Sequence, residues 1–470
     1  MAFDMKKRTK DITKKGSRRT VHIVSPDERT AAGKALRDKI PRQQHGRWGE
    51  FNGRLNPIEL LHRSDAGRMN KLIAIRYGRM LESPFAFYRG AAGVMAADLA
   101  RTPTTGLKVQ ACGDCHLLNF GGFATPERSI IFDINDFDET SPAPWEWDVM
   151  RLVASIVLAA RSNGLSDSQG RDCAVSCARR YREHMHEFSK MSPLQVWYAE
   201  TSVNDFIQSL PKAMRSNVKK RVEKTAVHSG SEYDFPKLAS TVGGQIRITD
   251  QPPLIFHPKI PGAAAALDKL FHAYRQSLSD DRRTLFDRYR LVDVAVKVVG
   301  VGSVGRRCWI ALMMSEGNVP LFLQFKEAVT SVLEPYAGKS AYRHQGQRVV
   351  MGQRLMQPAS DIFLGWTSAP NGRQFYVRQL HDAKVKPLVE TFNAEMLRVY
   401  GMACGWVLAR AHAKASELAA TISGYLGTSS DQFDVAMGKF ALAYADQAER
   451  DHATLKAAVR KGKIVVSYKS

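Results

Sequence analysis

The stretch VDVAVKVVGVGSVGRRCWIALMMSEGNVPLFLQFKEA, residues 292–328, limits the fold more than any other part of the chain. Its β-branched and aromatic residues read as three strands, joined by a glycine loop and then by a Glu-Gly-Asn turn. Gly300, Gly302 and Gly305 form a G-x-G-x-x-G pattern, which alone is shared with dinucleotide-binding folds. A dinucleotide site needs a helix opening at those glycines. Here residues 306–314 lead instead to a turn and another strand, ending at Phe325, Lys326 and Glu327. FLGW and FYVRQL, within 361–366 and 373–380, read as two further strands and complete a five-stranded lobe over 286–385. Elsewhere the apolar spacing is helical: over 48–100, with a break at Ser83 and Pro84, over 145–161, 166–227, 263–289 and 394–415, and in a last helix over 435–459. The fold class is therefore α+β.

A second stretch, CGDCHLLNFGGFATPERSIIFDINDFDET, residues 112–140, gathers acids and amides around a predicted hairpin. The Gly121-Gly122 pair and Pro126 are expected to supply its turn. Read as strand, turn, strand, the segment brings Asp114, Asn119 and Asp136 to one end of a two-stranded ribbon. Carboxylates and an amide oxygen there suit a hard cation such as Mg2+, with Asp138 as an extra ligand.

The order of Asp114, Asn119 and then Asp136-Phe137 at the end of the next strand resembles the catalytic and metal-binding segments of protein-kinase-like phosphotransferases, especially the aminoglycoside and choline kinase branch. The resemblance implies that Asp114 orients or deprotonates an acceptor hydroxyl while Asn119 and Asp136 hold the metals that bridge the nucleotide phosphates. It implies equally that Gly300, Gly302 and Gly305 cover those phosphates and that Lys326 pairs with them. An acid from the following helix should pair with the lysine. Glu334 is the one acid available there, and Gln347 or Gln353 is the substitute. Asp148 resembles the structural aspartate that follows the metal-binding one, with Arg151 beside it as scaffold. The 394–415 helix, with His412 near its end, resembles the long helix that precedes the catalytic loop in that branch. Two departures are visible: Cys112 stands where His or Tyr is usual, and the lysine follows the acids in the chain instead of preceding them. The implied fold is a circularly permuted two-lobed kinase-like one. Residues 48–285 and 386–470 build the helical lobe, and 286–385 the strand-rich nucleotide lobe, with adenine held where the chain leaves Phe375. Over nearly its whole length the sequence also resembles the bacterial family termed domain of unknown function 2252, through GDCHLLNFG, FDINDFDE, WEWDVMRL, QFKEA, RVVMGQRLMQ and FALAYADQ.

The expected activity is ATP- and Mg2+-dependent phosphoryl transfer to a small-molecule hydroxyl. Alternatives are a nucleotide-binding pseudokinase or regulator, a nucleotidyl-transfer variant, and a two-metal phosphoesterase suggested by G-D-x-H. Three arginines, Arg76, Arg79 and Arg89, are candidates to face a phosphate, and the loop-rich 228–261 to bind the acceptor. Net charge is +22, and residues 1–47 hold 14 Lys and Arg against 5 acids. That basic segment reads as a disordered arm able to touch nucleic acid or an anionic surface. No run of about 18 apolar residues is present, so no transmembrane segment is expected, and a cytoplasmic location follows. Cys112 with Cys115, and Cys173 with Cys177, could ligate zinc, although buried free thiols suit the same settings.

Overall fold

The computed structural model describes residues 24–49, 53–227, 230–258, 263–380 and 384–468, and it is a mixed α+β structure. Strands β1 (Lys108–Ala111), β2 (Phe120–Ala124), β3 (Ile130–Ile134) and β4 (Ser141–Pro144) flank the acidic stretch, where β2 pairs with β3 and β1 with β4. A separate hairpin joins β5 (Ala239–Val242) to β6 (Gln245–Ile248). The principal sheet holds β7 (Ile255–Phe256), β8 (Tyr289–Lys297), β9 (Cys308–Ser315), β10 (Pro320–Ala328), β11 (Gly365–Ser368) and β12 (Gln374–Gln379). Its order is β11-β12-β10-β9-β8-β7 and each neighbouring pair is antiparallel.

Side-chain alternation along β10 sets the two faces of this sheet. Leu321, Leu323 and Phe325 bury against Tyr274, Phe286 and Phe363. Phe322 packs on the other side with Ile310 and Leu312, and Gln324 and Lys326 continue that second face toward the acidic stretch. The expected five strands become six because the two-residue β7 folds onto the edge of β8. The expected 263–289 helix is two, Ala263–Gln276 and Asp280–Phe286, since Ser279 restarts it and Tyr289 already belongs to β8.

The largest core surrounds the Trp145–Ser162 helix, in which every residue from Trp145 to Ala160 is buried. The Asp167–Phe188, Ala394–Lys414 and Gln432–Arg460 helices pack around it. Apolar residues on all sides of one helix require such enclosure.

The expectation of an unstructured arm reaching residue 47 is corrected from Ser25 onward, residues 1–23 lying outside the described residues. Ser25 and Glu28 form a capping box that opens the Pro26–Lys39 helix. That helix lies on Ala419–Leu426, and Arg37 and Arg42 donate to the Tyr425 and Leu426 carbonyls. Arg37 and Arg42 are thus spent on carbonyl oxygens, which charge counting along the sequence does not reveal. Contact is close at Gly33, where a Cβ would stand 2.0 Å from the Thr421 carbonyl oxygen. Among the described residues no helix is long and apolar enough to cross a membrane.

Candidate functional site

The β2–β3 register pairs Phe120 with Ile134, so Asn119 and Asn135 emerge together at the same end of the ribbon. The Asn135 amide donates to the Asn119 carbonyl at 2.7 Å. The glycine pair does not make the turn, which falls at 125–129 instead. Gly121 and Gly122 lie inside β2 because residue 385 crosses there: a Cβ on Gly121 would meet the Val385 carbonyl oxygen at 2.8 Å.

The turn leading to Asp114 is held from below by one carboxylate. Asp148, 1% exposed, accepts from the Cys112 amide at 2.6 Å and the Gly113 amide at 2.9 Å, and lies 3.2 Å from His412 Nε2. One helical turn on, Arg151 donates from Nε to Asp114 at 2.7 Å while stacking over Tyr88. Arg151 is therefore a direct partner of Asp114 as well as a neighbour of the scaffold. Asn119 donates through Nδ2 to the Asp114 carbonyl at 2.6 Å, which leaves its amide oxygen as the group it can offer a cation.

Lys326 meets the acids of the ribbon. Its ammonium is 2.8 Å from Asp138 and 3.7 Å from Asp136, and the Tyr376 hydroxyl donates to the other Asp138 oxygen at 2.6 Å. Desolvation alone would lower the ammonium, but Asp136 and Asp138 hold it well above its ordinary value. Burial likewise works to raise the Asp136 carboxyl, and Lys326 with Arg378 outweighs it and keeps it low. The expected partners Glu334, Gln347 and Gln353 do not perform this pairing. Gln353 donates to Gln357, and the Gln345–Met356 helix sends Arg348 instead, which donates to the Asp138, Thr140 and Val329 carbonyls. The acids of the ribbon already fill the lysine's field.

These groups border a cavity of about 440 Å3. Asp114, Asn119, Asp136, Asp138, Gly300 and Gly302 line it; Gly305 and Lys326 do not. The Gly305 carbonyl accepts from the Met69 amide, and Lys326 stands behind the acids. Of the three candidate arginines, Arg76 and Arg89 reach the cavity, and Arg79 donates to the Gly300 carbonyl.

A cation here would be held by oxygen. Among the described residues no three His, Cys, Asp or Glu side chains are grouped to hold a metal ion, and all six cysteines are buried free thiols. Asp138 has both oxygens engaged, so the Asp136 carboxylate and the Asn119 oxygen are the groups that fit Mg2+, with further ligands coming from phosphate or water.

A protein-family model matches residues 68–458, which includes Asp114, Asn119, Asp136, Asp138, Lys326 and the glycine loop. The chain belongs to the DUF2252 family, described as uncharacterized and conserved in bacteria. No curated protein and no solved structure matches it.

The site also contains His116, which G-D-x-H had offered only to the phosphoesterase alternative, and arginines for which no role was expected. His116 lines the cavity, and burial pushes its ring down to about 3, so it is neutral. Arg63, Arg68 and Arg306 line it too. Burial, then Arg76 and Arg306, push Arg68 down to about 9. His116 and Arg306 had a signal, adjacency to Asp114 and to the glycine loop. Arg63 and Arg68 had none, because the fold brings them in from a distant helix pair.

Proposed function

We propose that this DUF2252 protein is an ATP- and Mg2+-dependent phosphotransferase acting on a small-molecule hydroxyl, with a permuted two-lobed kinase-like fold. The observation that carries the reading is convergence on one cavity: Asp114, Asn119 and Asp136 from the ribbon, and Gly300 and Gly302 from the loop between β8 and β9. Supporting it, the β8–β12 sheet enters the chain between helices that pack with one another. Asp148 fixes the Cys112 and Gly113 amides, so the Asp114 backbone is set before any substrate arrives. Arg151 orients the Asp114 carboxylate, which accepts the acceptor's hydroxyl proton. Asn119 and Asp136 hold Mg2+, which when bound neutralises phosphate charge as the bond to the leaving group breaks. The amides of the glycine loop cover the phosphates, and Lys326 exchanges part of its contact with Asp138 for them.

A second reading, a nucleotide-binding regulator without transfer, draws on one observation: Lys326 is paired to the ribbon's acids and to no acid of the Gln345–Met356 helix. The experiment that separates the readings is titration with a Mg2+-loaded non-hydrolysable ATP analogue, run beside product analysis with ATP and a metabolite pool. Release of ADP marks phosphoryl transfer, and release of pyrophosphate marks the nucleotidyl variant. Asp114→Asn is expected to keep binding and lose turnover about a hundredfold, the usual scale of a general base. Asp136→Asn is expected to lose Mg2+-dependent binding. If Asp114→Asn lost binding while Asp136→Asn left binding and turnover intact, the roles would be wrong and the metallohydrolase alternative would move ahead.

A further inference from the structure

The lining of the 440 Å3 cavity carries charge of both signs, and its arginines are Arg63, Arg68, Arg76, Arg89 and Arg306. Three of these guanidiniums have structural work. Arg68 donates to the Ser64 and Val304 carbonyls, Arg76 to Asp65, Ser64 and the Gly90 carbonyl, and Arg306 to the Ala66 and Ser64 carbonyls.

Arg89 is different. Among the described residues it makes no hydrogen bond and no ion pair, and its Nε is buried without a partner. His116, only 5% exposed, has its Nδ1 buried without a partner as well, and its Nε2 is 3.9 Å from Asp114. Leaving a buried donor or acceptor unpaired costs about 1–3 kcal/mol, and more for a charged group, so two such groups on one cavity mark where a ligand completes the bonding. Asp114 is the charge acting most strongly on both, and Arg89 acts on His116 in turn. With His116 Nε2 at 3.9 Å from Asp114, the unfilled bonding lies beside the proposed base.

Building on the phosphotransferase reading, we infer that the acceptor is an anionic alcohol, whose carboxylate or phosphate group is held by Arg89 and His116 while its hydroxyl lies at Asp114. A guanidinium with free donors matches either oxyanion in a two-pronged geometry, and the neutral imidazole adds one further bond. The acceptor hydroxyl oxygen bonds to the terminal phosphorus of ATP as the bond from that phosphorus to the ADP oxygen breaks, and the hydroxyl proton passes to Asp114. The products are ADP and a phosphate ester that retains its original anion.

The test is calorimetric titration of the full chain, saturated with Mg2+ and the non-hydrolysable ATP analogue, with glycerol 3-phosphate, glycerate and glycerol. At least one anionic probe is expected to bind where glycerol does not, and which one does separates phosphate from carboxylate. Arg89→Gln should weaken that probe about tenfold or more, the worth of one charge-assisted hydrogen bond, and leave the analogue's affinity within about twofold. Binding of neither anionic probe, equal binding of glycerol, or an Arg89→Gln defect confined to the analogue would overturn the inference. Should Arg89→Gln not fold, His116→Gln carries the same comparison. Should the analogue not bind the parent chain, the phosphotransferase reading falls. The titrations without nucleotide then judge the subsite alone: Arg89-dependent anion binding upholds it, and its absence ends it.

Discussion

Asp148→Ala removes the one side chain that holds the turn ahead of Asp114. The Cys112 and Gly113 amides are buried and donate to this carboxylate, itself 1% exposed, at 2.6 and 2.9 Å. A hydrogen bond to a charged group contributes about 1.5–3 kcal/mol, and the alanine variant strands two buried donors, so a loss of about 3–5 kcal/mol is expected. Asp148→Asn keeps one acceptor oxygen but turns an NH2 toward the second amide, and should cost about 2 kcal/mol. Chemical denaturation of the three proteins measures the order. Amide hydrogen exchange localises it, with the Gly113 amide losing protection in the alanine variant while the β8–β12 sheet keeps its own. Turnover should fall in both variants before nucleotide binding does, because the turn carries Asp114 and not Asp136. Stability within about 1 kcal/mol of the parent, together with an unchanged exchange rate at Gly113, would refute the clamp.

Three further outcomes are expected. Gly33→Ala drives a Cβ to 2.0 Å from the Thr421 carbonyl oxygen, so it should destabilise by about 2 kcal/mol or more and prise the Pro26–Lys39 helix from Ala419–Leu426; an unchanged melting temperature would count against that packing. Glu146, fully buried with Oε2 unpartnered, has its carboxyl pushed up to about 7 chiefly by burial, so its share of stability is complete below about 4.5 and is lost as pH rises through about 7. Glu146→Gln should therefore gain on the parent by up to ~3 kcal/mol between pH 5 and pH 8, and an equal difference at the two pH values would contradict the sign. Mg2+ with ATP should raise the melting temperature of the parent, since a ligand of the native state stabilises it, and Lys326→Ala should abolish most of that rise; a shift of the same size in the variant would remove the lysine from the nucleotide site.

Local pattern made much of the fold legible. Proline followed by an apolar face announced the Trp145–Ser162 helix, and the alternation of Leu321, Leu323 and Phe325 announced β10. The convergence of Asn119 with Asp136 was legible for the same reason, because a short hairpin imposes it. What escaped was set by contacts between distant segments. Lys326 and Asp138 lie 188 residues apart, so no helix-borne acid was needed. The Gly121-Gly122 pair looked like a turn because the crossing of Val385 cannot be read from its neighbours. The Pro26–Lys39 helix was hidden by its own charge, since its arginines answer to carbonyls far along the chain.

The enclosure of the Trp145–Ser162 helix has a consequence for synthesis of the chain. Its roof comes partly from the Ala394–Lys414 and Gln432–Arg460 helices, the nearer beginning more than 230 residues downstream. At about 5–20 residues per second a ribosome needs ~10–50 seconds to supply them. For that interval a helix that ends up buried from Trp145 to Ala160 is outside the ribosome with its covering unmade, and the turn ahead of Asp114 lacks His412, which completes the surroundings of Asp148. The nascent chain is therefore expected to need shielding from association until the Ala394–Lys414 and Gln432–Arg460 helices emerge, and truncation anywhere before the first of them should yield aggregate and not a smaller folded protein.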